Sequence, residues 1–201
     1  MKKLLLIVLL LLMSKSALAD SVILQTGWLH TANSNYGDSG ELVVRAEKEL
    51  IVNQLGVLSG GLEYAYHGPT SRFAEDNTQY GDVSGHTAIV EAIYYPPIKG
   101  KIKPYALAGI GWGWWDFSES SWSKDAGISV DMGDNWCYKV GFGADYQIND
   151  HWSVNLEWAY FQTDIPKNAH YSDGSFSNIL DTGKTIGESE TTLLVGVRYR
   201  W

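Results

Sequence analysis

Histidines, a lone cysteine and a set of embedded charges are the groups in this chain with the most chemical potential. His30, His67, His86, His151 and His170 form no i, i+4 pair and no His-x-Glu set of the kind that holds a metal ion. Cys137 is the sole cysteine, so no internal disulfide staples the chain. His170-Tyr171-Ser172 places a base near a hydroxyl, as nucleophilic catalysis requires. Such a pair also needs a third group and a held geometry. Asn168, Asp173, Gly174 and Ser175 around it read as turn residues of a long loop. The expectation is therefore no catalytic residue, no metal site and no cofactor.

The charges are more informative. Arg45, Glu47, Glu63, Glu91, Lys139, Asp145, Glu157, Arg198 and Arg200 all lie in segments where polar and apolar residues alternate. Both signs occur, so one interior could hold them as a mutual ion-pair network. A proton or ion path, or a catalytic carboxylate, is the sharper alternative. A charge in a confined interior must be paired or hydrated, so the network accounts for all nine residues without further assumptions.

The elements that would position them are strands. In the last segment Leu193, Val195, Val197, Tyr199 and Trp201 alternate with Thr192, Leu194, Gly196, Arg198 and Arg200. Trp152, Val154, Leu156, Trp158 and Tyr160 alternate with Ser153, Asn155, Glu157 and Ala159. Trp136, Tyr138, Val140, Phe142, Ala144 and Tyr146 oppose Cys137, Lys139, Gly141, Gly143 and Asp145. Successive side chains point to opposite faces of a strand, so each segment carries one lipid-ready face and one polar face. Weaker versions run through Leu42–Glu47, Leu58–Tyr66, Thr87–Tyr94 and Ile102–Trp114, and a first strand of uncertain register covers Ser21–His30. Long connections near Thr31–Gly40, Gly68–Gly85, Ser118–Asp134 and Thr163–Glu188 alternate with short ones near Leu50–Gln54, Pro96–Lys101 and Ile148–Asp150. The pattern predicts an all-β fold: an eight-stranded antiparallel up-and-down transmembrane β-barrel with short periplasmic turns and long outer loops.

The ends of the chain agree with export. Lys2 and Lys3 precede an apolar run from Leu4 to Met13, and Ala17-Leu18-Ala19 supplies a small-x-small cleavage site. Ten apolar residues make about 15 Å of helix, too short for a core of roughly 30 Å. The expected division is a signal peptide over residues 1–19, cut between Ala19 and Asp20, and one barrel domain over residues 20–201. Losing Lys2, Lys3 and Lys15 takes the formal charge from −8 to −11, which argues against nucleic acid. Nine Trp and twelve Tyr suit interfacial girdles. Trp112, Trp114, Trp136 and Tyr138 are expected at the outer interface, and Tyr94, Tyr146, Trp152, Tyr199 and Trp201 at the periplasmic one. Trp122, mid-loop, could mark a contact surface.

Several motifs carry a family resemblance. Lys103-Pro104-Tyr105 with Ala108-Gly109-Ile110-Gly111-Trp112-Gly113 is similar to the Pro-Tyr-x-x-x-Gly-x-Gly strand of small outer-membrane barrels. Gly141-Phe142-Gly143-Ala144-Asp145-Tyr146 and Asn149-Asp150-His151-Trp152-Ser153 resemble their Gly-x-Gly-x-Asp-Tyr strand and following turn. Val195-Gly196-Val197-Arg198-Tyr199-Arg200-Trp201 resembles their closing strand, with Trp where Phe is usual. The superfamily takes in the transmembrane domain of outer membrane protein A, outer membrane proteins X and W, and opacity-type surface proteins. Tyr160-Phe161-Gln162-Thr163-Asp164-Ile165 is similar to the protein W branch, but the sequence before Glu41 departs from it. His170-Tyr171-Ser172 resembles the His-x-Ser arrangement of outer-membrane lipid A deacylases, although in those enzymes the pair sits on a bilayer-facing strand.

The resemblance implies residence in the bacterial outer membrane, contact with lipid and lipopolysaccharide, and recognition of the C-terminal strand by the insertion machinery. It specifies architecture better than activity. The main functional expectation is a non-enzymatic structural and surface protein, with a host or envelope partner at its outer loops. A small pore or conduit for small hydrophobic solutes is the alternative, and a lipid A-modifying enzyme comes third.

Overall fold

In the computed structural model the described residues are 19–31, 38–73, 79–125, 128–165, 167–171 and 186–201. Eight long strands form one closed barrel: β1 (Ser21–Thr31), β2 (Ser39–Asn53), β3 (Gly56–Phe73), β4 (Gln79–Tyr95), β5 (Ile102–Glu119), β7 (Asn135–Gln147), β8 (Trp152–Ile165) and β10 (Ile186–Arg200). Each pairs antiparallel with its neighbours in chain order, and β1 closes the ring against β10, from Ser21 opposite Arg200 to Thr31 opposite Glu190. Closure leaves no barrel strand edge to satisfy in lipid. A five-residue helix α1 (Ser121–Asp125) and a small sheet of β6 (Ile128–Met132) with β9 (Lys167–Tyr171) sit within the β5–β7 and β8–β10 connections.

Alternation sets which way each side chain points. Leu62, Val90, Ile110, Val140, Phe142, Leu156, Leu193, Val195 and Val197 are exposed on the outer face, which is where a lipid solvent wants them. Arg45, Glu63, Lys139, Glu157 and Arg198 are buried inside. The first strand resolves with Leu24, Thr26, Trp28 and His30 outward and Ile23, Gln25 and Leu29 inward.

Two expectations change. The long loop expected over Gly68–Gly85 is largely strand, because β3 runs to Phe73 and β4 begins at Gln79. Ahead of Gly85 the outward residues of β4, Ser84 and Asp82, are no longer apolar, so alternation no longer marks the strand, while the backbone ladder continues with irregularities at His67/Thr70 and Arg72/Phe73. His170 likewise lies in β9, opposite Ser129, rather than among loop residues. Ser172 is outside the described residues, as are residues 1–18 of the expected signal peptide.

Small residues make the narrow lumen fillable. Gly61 and Gly109 flank Glu91 in register, and Gly109 in turn flanks Lys139. At the periplasmic end, the β2–β3 turn needs the positive φ of +134° at Gly56, a conformation glycine adopts freely.

Candidate functional site

The lumen is the only place where this sequence collects chemistry among the described residues, and it is organised in tiers. In the middle tier the Arg45 guanidinium donates to Glu63 Oε2 at 2.7 Å and to Glu157 Oε2 at 2.8 Å, and its Nε lies 2.6 Å from Glu91 Oε2. Lys139 Nζ donates to Glu63 Oε2 at 2.7 Å and lies 3.0 Å from Glu157 Oε1. These links span the lumen, since β2 and β8 are three strands apart around the ring, as are β7 and β3. Tyr105 donates its hydroxyl proton to Glu157 Oε2 at 2.8 Å.

The periplasmic tier is built on Arg198. Its guanidinium donates to Glu47 and to the Tyr95 hydroxyl, reaches Ser21 Oγ at 3.0 Å, and places Nε 2.9 Å from Asp145 Oδ2. Asn155 ties the two tiers together. Its amide donates to Asp145 Oδ1 at 2.6 Å, and its own oxygen accepts from Gln25 Nε2 at 2.6 Å. Eight of the nine charges expected inside are thus buried in these two tiers. Arg200 is the departure. It is half-buried at the periplasmic rim, where it lines a cavity of about 230 Å³ together with Asp20, Glu49, Lys103 and Arg198. Being the last strand residue, it lies where the lumen opens to water.

The outer half of the lumen is different in kind. His67 packs between Trp115 and Phe161, with ring centroids 5.4 and 5.2 Å away, and Val83, Ile89 and Cys137 complete an apolar cluster. His67 Nε2 pairs with Thr87 Oγ1 at 3.2 Å, and Nδ1 faces Glu41 at 3.8 Å and Glu190 at 4.0 Å. Sequence reasoning missed this cluster. The signal was available in Trp114-Trp115, since adjacent rings on a strand must go to opposite faces. Tyr95, Tyr105, Gln25 and Asn155 were likewise left out of the expected network; strand parity marks Tyr105 and Asn155 as inward.

Outside, Trp112 meets Trp136 edge-on at 5.2 Å, with Trp114 and Tyr138 exposed nearby along β5 and β7. At the other end Trp152 packs on Tyr199 at 4.8 Å, Tyr199 lies 6.1 Å from Trp201, and Tyr94 and Tyr146 are exposed. Trp28, unassigned in the sequence reading, is the large outward aromatic of β1. Ala19 is buried, and Asp20 donates its backbone N–H to Glu47 O at 2.7 Å. The hydrogen bond from the Lys48 ammonium holds the Asp20 carboxyl below the usual carboxylate range.

A closed ring of eight strands with an apolar outside and a charged inside inverts the layout of a water-soluble protein. A family model described as "Outer membrane protein beta-barrel domain" matches residues 5–200. The chain belongs to the outer membrane protein beta-barrel domain family. As a member it is a protein of the bacterial outer membrane. Outer membrane protein W of Vibrio cholerae serotype O1 is 26% identical over 164 residues, covering 72% of this chain and 75% of that one. Among solved structures, OprG from Pseudomonas aeruginosa has a similar fold, with a TM-score of 0.64 at 14% identity over 92% of this chain and 97% of that one. Neisserial surface protein A has a TM-score of 0.59 at 14% identity, covering 90% and 96%. The shared fold makes a test of lumen packing meaningful. A Cβ at Gly143 would sit 2.5 Å from the Tyr105 ring and hydroxyl. Gly143→Val should therefore displace Tyr105 from Glu157 and cost about 1–3 kcal/mol, as overpacking does. The midpoint of urea unfolding, followed by gel mobility without boiling, reads that loss.

Proposed function

We propose that this outer-membrane barrel is a non-enzymatic structural and surface protein that acts through its outer segments. The observation that supports this reading is the charged lumen, where Arg45 and Lys139 bind carboxylates across the ring, an arrangement that suits a scaffold more than a channel. Function in such a protein moves to the segments that a rigid barrel displays. Trp122 on α1, exposed beyond the barrel, suits a contact surface for a host or envelope partner. In this reading residues 1–19 are removed on export, and the strand ending in Trp201 serves the insertion machinery.

Replacing residues 120–134 and 166–187 with short Gly-Ser turns should abolish surface adhesion while the barrel still inserts. Unchanged adhesion in a correctly inserted variant removes the basis of the proposal. A second reading, a conduit for small hydrophobic solutes, draws on the apolar outer chamber of Val83, Ile89, Trp115 and Phe161. Faster entry of a fluorescent apolar solute into vesicles carrying the protein, with planar-bilayer recordings silent, would favour that reading over the first.

A further inference from the structure

The β2–β3 connection differs from the other periplasmic turns. Residues Leu50–Leu58 contain no charged side chain, whereas the β4–β5 turn carries Lys99 and Lys101, and the β7–β8 turn carries Asp150. Leu50, Ile51, Val52 and Leu55 are nevertheless 63, 51, 67 and 75% exposed. A turn meant for water has no reason to present four large aliphatic side chains.

A register irregularity explains where they point. The β2–β3 ladder runs regularly through Glu49 opposite Ser59 and resumes at Ile51 opposite Leu58, leaving Leu50 as an extra residue. Before this bulge Glu47 faces the lumen and Lys48 faces out. Leu50 lies over Gly60, with its Cδ1 3.2 Å from where a Cβ on that glycine would be. Gly60 shares the outward face with Leu62. Ile51 is paired with Leu58, which has the same outward parity, so the bulge turns two consecutive aliphatic residues toward the outside. Tyr94, on the outward face of β4, donates its hydroxyl to the Leu55 carbonyl and holds the tip against the wall. Lys48, adjoining the patch, is paired with Asp20 at 2.8 Å.

We propose that the β2–β3 hairpin tip, through Leu50, Ile51 and Leu55, is an anchor in the periplasmic leaflet, seated at the boundary between acyl chains and headgroups. The patch continues the lipid-facing wall without a break, from Leu62 through Leu50 and Ile51 to the tip, and a lipid surface is the occupant that continuity selects. Tyr94 marks the interface level, and the salt-bridged Lys48–Asp20 pair suits the headgroup region. Such a one-sided anchor pins the barrel's height and tilt at the β2–β3 corner.

The test places a nitroxide at Leu55→Cys in a Cys137→Ser background, with the full chain in phosphatidylcholine–phosphatidylglycerol vesicles. Leu62→Cys serves as the lipid control and Asp150→Cys as the aqueous one. The expected result is collision with oxygen exceeding collision with a water-soluble nickel chelate at Leu55, as at Leu62. The same readout at Ile51→Cys guards against local distortion by the label. Ratios at both positions matching Asp150 overturn the proposal, since these vesicles hold no protein partner, and leave a second copy or a periplasmic protein as the occupant.

Discussion

Replacing Arg45 with methionine is expected to remove about 3–5 kcal/mol of barrel stability, the range for breaking a buried ion pair from one side. Arg45 is fully buried and touches Glu63, Glu91 and Glu157. Without it, three buried carboxylates share Lys139 as their remaining ion-pair cation in that tier. The loss is one of compensation more than of volume, so its signature is partial rescue by a second change. Arg45→Met with Glu157→Gln should be less destabilised than Arg45→Met alone, and a double-mutant cycle on urea midpoints measures the coupling. Arg45→Lys should not restore stability, because one ammonium cannot reproduce a planar fork bonded to several carboxylates. Additive single effects would mean that the lumen is hydrated enough for the pair to be screened.

Trp115→Ala should cost about 3–5 kcal/mol, as large-to-small changes of buried aromatics do. The indole is buried against His67, Phe161 and Val83, and its ring occupies the space that a side chain at Gly85 would fill. Unlike the Arg45 change, this one empties volume in the outer half and leaves the ion-pair tiers intact. If Arg45 and Lys139 close the lumen below, as the proposed function has it, planar-bilayer recordings of Trp115→Ala and of the parent should both be silent. Ion conductance appearing in this variant would move the seal to the apolar cluster. Urea unfolding and single-channel recording on the same preparation separate the two effects.

Some of this was legible in the sequence for a local reason. Val140, Phe142 and Tyr146 alternate with Lys139, Gly141 and Asp145, and a strand sends neighbours to opposite faces whatever lies beside it. Legibility ended at three kinds of place. Ahead of Gly85 the outward residues of β4, Ser84 and Asp82, are polar, so β3 and β4 ran on unseen into an expected loop. At Leu50 an extra residue reset the parity, which no period-two reading anticipates. At Trp114-Trp115 one ring had to enter the lumen, and a girdle expectation drew attention to the other.

The sequence by itself determined the class of the molecule: an exterior fit for lipid, an interior that must neutralise its own charges, and eight antiparallel strands. Those properties follow from residue order along one strand at a time. Only the tertiary structure decided which charges meet. Arg45 and Glu157 are 112 residues apart, and Arg198 and Glu47 are 151 apart. Their pairing depends on ring closure and on the stagger between strands, which are properties of all eight strands together. The same closure split the lumen into charged tiers near the periplasm and, above them, an aromatic and aliphatic cluster around His67 that faces the buried Glu41 and Glu190, and it left Arg200 at the rim. Of the groups that first suggested chemistry, His67, Cys137 and eight of the nine charges became packing that fills the barrel.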